Sequence, residues 1–79
     1  MVYIQYADIS KTIDIKRAYA GEDLTLRRVV DAFSTNWKPD DLTISGRPIE
    51  DHEFDTRIGD LAREAPVTGS KSLLIEKHR

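Results

Sequence analysis

The side chains best suited to chemistry in this chain sit close together: Asp51, His52, Glu53 and Asp55 bring three carboxylates and an imidazole into one short stretch. Hard cations take several oxygen ligands, and an imidazole beside a carboxylate can relay protons. The spacing fits neither a calcium-binding loop nor a zinc motif, so the stretch reads as a solvated acidic loop. His52 and His78 both stand beside charged residues and lack the apolar surroundings that tune a catalytic imidazole. The sequence contains no cysteine, which removes thiol nucleophiles, thiolate metal ligands and disulfides. No Ser-His-Asp arrangement or glycine-rich phosphate loop is visible, and a chain of 79 residues has little room for a deep pocket. The chain is therefore expected to be non-catalytic, with no cofactor and no metal.

Charge points the same way. Lys16, Arg17, Arg27 and Arg28 could gather where a second strand meets a helix, as a phosphate-contacting patch would. Asp14, Glu22, Asp23 and Asp31 interleave with them, and 14 acidic against 12 basic residues leave a net charge of -2. A mixed charged face is expected rather than a nucleic-acid interface. The N-terminus lacks the basic segment and apolar run of a signal peptide. The apolar runs are far shorter than the roughly 20 residues that span a bilayer. The reading is a soluble cytoplasmic protein with protein partners, monomeric in isolation, and with no nucleic-acid or membrane partner. Hydrophobic residues at 39% and charged residues at 33% fit an ordinary globular domain covering residues 1–79, able to fold alone.

The elements that must position these residues follow from periodicity. Val2, Ile4 and Tyr6 alternate with Tyr3 and Gln5, a period of two that predicts a half-buried strand. Asp8, Ser10 and Lys11 supply turn chemistry. A second strand then places Ile13 and Ile15 on one side and Thr12, Asp14 and Lys16 on the other, with Arg17 and Ala18 marking a bulge or a frayed end. Gly21, Glu22 and Asp23 form a turn. Thr25 or Asp23 caps a helix whose apolar residues Leu26, Val29, Val30 and Phe33 fall on one face. Ser34, Thr35 and Asn36 end it. Leu42 and Ile44 make a short third strand that stops at Gly46, where a positive φ is expected, and Ile49 returns as an apolar anchor. The segment from Glu50 to Asp55 reads as irregular. Ile58 and Leu61 suggest a single helical turn, Pro66, Gly69 and Ser70 a loop, and Leu73 and Ile75 a last strand alternating with Ser72, Leu74 and Glu76. The order is β-β-α-β-(short helical turn)-β, an α+β class with a four- to five-stranded mixed sheet packed on one helix. The first and last strands are expected to be central and parallel, leaving one sheet face open.

The run Pro39, Asp40, Asp41, Leu42, Thr43, Ile44, Ser45, Gly46, Arg47, Pro48, Ile49, Glu50, Asp51 gives a turn, a strand, a glycine turn, an apolar anchor and an acidic pair. Together with the hairpin, the capped helix, Ile58-Gly59-Asp60-Leu61 and the last strand, it resembles the ubiquitin-like β-grasp family over nearly the whole chain. The resemblance implies a module that works by being bound. Conjugated members end in a di-glycine tail, whereas this sequence runs through Glu76, Lys77, His78 and Arg79. A non-conjugating adaptor or small subunit is therefore expected, the alternative being a modifier or sulfur-carrier relative whose tail is absent here. The family's apolar recognition patch corresponds to Thr43 and Glu76, both polar, and the linkage lysine beside the glycine turn corresponds to Arg47. Leu74, with Tyr3 beside it, keeps a smaller apolar spot. Trp37, at a position that is apolar in the family, is expected to cover the open end of the core. The expected partner-binding face is Tyr3, Gln5, Thr43, Arg47, Leu74 and Glu76.

Overall fold

A computed structural model describes residues 1–10 and 12–79. The chain forms β1 (Val2–Asp8), β2 (Asp14–Ala20), α1 (Leu26–Phe33), a 3-10 turn (Pro39–Asp41) and β3 (Leu42–Ile44). These are followed by β4 (Arg47–Pro48), a second 3-10 turn (Asp51–Asp55), α2 (Ile58–Leu61), β5 (Arg63–Glu64) and β6 (Lys71–Lys77). It is an α+β fold in which a mixed six-stranded sheet packs one face against α1 and the second 3-10 turn. Strand order is β2-β1-β6-β3-β4, with β5 also paired to β6. The expected strand count of four to five is exceeded because the two-residue strands β4 and β5 are too short to leave a periodic signature.

β1 and β6 lie parallel at the centre, Ile4 opposite Leu73 and Tyr6 opposite Ile75. Val2, Ile4, Tyr6, Leu73 and Ile75 all point to the covered face and are at most 2% exposed. α1 supplies the cover. Thr25 caps it, its side chain accepting from the Arg28 N–H at 3.4 Å, and Leu26, Val29 and Val30 are buried. Each such side chain removed from water stabilises the fold by about 1.5–3 kcal/mol. Phe33 is only partly buried and stacks on Tyr6 with ring centroids 5.1 Å apart and planes 4° apart. Trp37 lies where a lid was expected, partly buried over the core, stacked on Phe54 at 5.3 Å and donating from Nε1 to Asp31 at 2.7 Å.

β2 differs from the reading of its sequence. Its pairing with β1 runs without a bulge from Val2 opposite Ala20 to Asp8 opposite Asp14. That register turns Lys16, Ala18 and Ala20 to the helix side and Ile15, Arg17 and Tyr19 to the open side. Ile13 precedes the strand and is 77% exposed. Apolar alternation identifies two faces of a strand without saying which is inside; the small residues Ala18 and Ala20 fit under the helix because β2 is at the sheet's edge. In the preceding turn, the Ser10 N–H and Oγ both donate to Asp8 Oδ1 at 3.0 and 2.6 Å. Lys11, read as part of that turn, lies outside the described residues.

The β3–β4 turn has positive φ at both Ser45 and Gly46, 50° and 79°, the pattern of a primed two-residue hairpin turn. The Glu50 to Asp55 segment, expected to be irregular, is a regular 3-10 turn that buries Phe54 to 1% exposure. Phe54 has the largest side chain among the fully buried residues. α2 is clamped against the entry to α1, with the Ile58 N–H donating to Leu24 O at 2.8 Å and the Gly59 N–H to Glu22 O at 3.1 Å.

Candidate interaction face

The ladder registers arrange the uncovered sheet face as three rows across the strands. Arg63, Ser72, Tyr3 and Tyr19 stand in the first, Leu74, Gln5 and Arg17 in the second, and Thr43, Glu76, Ala7 and Ile15 in the third. Five of the six expected face residues, Tyr3, Gln5, Thr43, Leu74 and Glu76, therefore share one surface. Tyr19 is 69% exposed, Ile15 44% and Leu74 37%. Tyr3 and Tyr19 oppose each other across the β1–β2 ladder, with ring centroids 5.2 Å apart and planes inclined by 41°. Such cross-strand aromatic pairs contribute roughly 0.2–1 kcal/mol to the sheet. Beside them a trough of about 430 Å³ is lined by Met1, Tyr3, Tyr19, Ala65, Ser70 and Ser72 together with Lys71.

The sixth residue, Arg47, does not belong to the face. It pairs with Ile44, one position out of phase with Thr43, and its guanidinium grips Glu53 with two bonds of 2.8 and 2.7 Å. Glu53 is also not part of a solvated loop: it is 5% exposed and accepts the Glu50 N–H at 2.9 Å. This contact is the side-chain reach-back that stabilises a helix start. The Arg47 bonds and the Glu50 amide hold the Glu53 carboxyl down at about 2, and the same pairing raises the Arg47 guanidinium. Sequence reading missed this pair because a carboxylate amid other acids looks solvated until the turn that orients it is known.

The remaining acidic residues diverge. Asp55 pairs with Arg27 at 3.3 Å on an exposed surface, and His52 faces Glu50 at 3.5 Å, an ion pair only when the imidazole is protonated. Among the described residues, no three histidine or acidic side chains come together to hold a metal ion. His78 instead shares a 2.8 Å hydrogen bond with the Thr43 hydroxyl at the margin of the face. The basic residues separate as well. Lys16 and Arg17 are neighbours on a strand and point to opposite faces, while Arg27 lies over the Phe54 ring at 5.7 Å. No helix among the described residues is long and apolar enough to cross a membrane.

Tyr19, Ile15, Arg17 and Arg63 belong to the open face and were not assigned to it from sequence. The alternation Ile15, Arg17, Tyr19 was present, but only the pairing with β1 shows that it lies beside Tyr3 and Gln5. Arg63 had no signal, since β5 is two residues long. No family model, curated protein or solved structure matches this chain.

Proposed function

We propose that this chain is a non-catalytic protein-interaction module of ubiquitin-like β-grasp type, an adaptor or small subunit that presents its open sheet face to a partner. The fold part of this reading is supported by the parallel β1–β6 pair at the centre of a mixed sheet, the β1–β2 hairpin at one side and α1 across one face. That is the arrangement the sequence resemblance implies. The functional part rests on one observation: a sheet face with exposed Ile15, Tyr19 and Leu74 beside Tyr3. Exposed apolar and aromatic side chains gathered on one surface mark interaction sites more often than scattered ones do.

Affinity capture with the tagged chain, compared with Leu74→Asp and Tyr3→Ala, tests it. Recovery of a stoichiometric protein partner that both substitutions weaken is the expected outcome. A partner bound equally well by both variants would place the interface elsewhere and sink the sheet-face reading.

A further inference from the structure

β2 is the outermost strand on its side of the sheet, and no other strand among the described residues pairs with its outer edge. Alternate N–H and C=O groups along Asp14–Ala20 therefore face outward, a template onto which an extended chain adds as a further strand. On the helix side this edge borders a groove of about 410 Å³. Ala18 and Ala20 of β2 form one wall, and Leu24, Val29, Ala32 and Phe33, from α1 and the turn before it, form the other. The two alanine side chains stop short of the helix, which leaves an apolar slot where every second side chain of an added strand would enter. Cations surround it. Arg28 lines the groove, Lys16 stands on the helix side of β2 and Arg17 on its open side, and none of the three pairs with a carboxylate among the described residues. The nearby acids are engaged elsewhere, Glu22 by Lys71 at 3.0 Å, Asp23 by Arg57 at 3.8 Å and Asp31 by Trp37 Nε1 at 2.7 Å. Asp14 lies at the far end of β2, opposite Asp8.

We infer that the edge of β2 and the groove it shares with α1 receive an extended acidic peptide segment, a short run of valine, isoleucine or leucine with aspartate or glutamate beside it, added as a further strand. Each property of the occupant answers a feature of the site. The free ladder takes extended backbone, the slot takes aliphatic side chains, and Lys16, Arg17 and Arg28 take carboxylates on either side of the sheet. A second copy of this chain fits less well, because pairing centred on the same edge would set Arg17 opposite Arg17, like charges that destabilise a strand pair. The edge and groove are not used by the open-face reading, so this inference goes beyond it and is tested apart from it.

The test is a titration of the isotope-labelled full chain with a synthetic peptide of alternating valines and isoleucines flanked by aspartates, followed by amide shifts. Saturable shifts centred on Lys16, Ala18, Ala20, Leu24 and Ala32 are expected, with slower hydrogen exchange along β2. Binding should be lost when a proline, which cannot join a ladder, replaces the central residue of the peptide. Arg17→Glu should weaken the aspartate-flanked peptide about tenfold and improve binding of a lysine-flanked one. Ala32 is exposed, so Ala32→Tyr fills the groove without entering the core and should also weaken binding. Absence of saturable binding, equal binding of the proline or asparagine-flanked peptide, equal binding by Ala32→Tyr, or tighter binding of a single-stranded oligonucleotide would each overturn the inference. Shifts centred instead on Gln5 and Leu74, with binding lost in Leu74→Asp, would move the peptide to the open face, overturning this inference while leaving the interaction-module reading standing.

Discussion

Glu53 shows how one side chain joins chemistry to fold. Its carboxylate takes two bonds from Arg47 and one from the Glu50 amide, so Glu53→Gln loses charge-assisted bonds and leaves Arg47 without its counter-ion. A loss of about 2 kcal/mol is expected at neutral pH, measured by urea denaturation. The pH dependence has a definite sign. Because the folded carboxyl titrates at about 2 against an ordinary 4.5, the native state favours the ionised form, and its contribution is complete above the ordinary value. The wild-type advantage over the glutamine variant should shrink as pH falls from about 4.5 toward about 2. Tyr6 is the counter-case. Its hydroxyl is buried without a partner in bonding geometry, although the Ser34 hydroxyl is near enough to oppose part of the rise that burial imposes on its ionisation. Tyr6→Phe keeps the stack on Phe33 and should change stability by less than about 1 kcal/mol, or raise it, in the same assay.

At the scale of elements, local chemistry was legible where it is self-contained. Thr25 capping α1, the positive φ at Gly46 and the alternation of Leu73 and Ile75 each follow from residues a few positions apart. What was not legible depends on distant partners. Phe54 is one aromatic residue in an acidic run and has no period to reveal it, yet its turn carries it under Trp37 and beside α1. Phe54→Ala is expected to cost about 3–5 kcal/mol by thermal or urea unfolding. Gly59 carries a similar hidden constraint: a Cβ there would lie 2.8 Å from the Glu22 Cβ and 3.1 Å from the Glu22 carbonyl oxygen. Gly59→Ala should therefore destabilise by about 1–3 kcal/mol, while Gly21→Ala, with nothing within 4 Å of the added carbon, should be nearly neutral. The candidate face was half legible for the same reason. Tyr3, Gln5 and Leu74 lie on strands whose parity is set by core residues, whereas placing Tyr19 and Arg17 needs the register of an edge strand.

For the molecule as a whole, stability is concentrated in the central parallel pair. β1 and β6 carry five side chains that are almost fully buried and are flanked by other strands, so their amides at Ile4, Tyr6, Leu73 and Ile75 should exchange most slowly, near the rate of global unfolding. Hydrogen exchange followed by NMR checks this; slowest exchange in α1 instead would show that the helix, not the sheet, is the last element to open. β2 occupies the opposite extreme. Seven residues long, with no bulge and no proline, it ends the sheet with a backbone edge that no other strand among the described residues pairs, the geometry that invites strands of neighbouring molecules to add on. Lys16 and Arg17 sit side by side in the middle of it and point to opposite faces, so an approaching copy meets positive charge whichever side it presents. The two residues thus act as gatekeepers of colloidal behaviour: replacing both with threonine should leave the melting temperature little changed while larger species accumulate with concentration in sedimentation experiments.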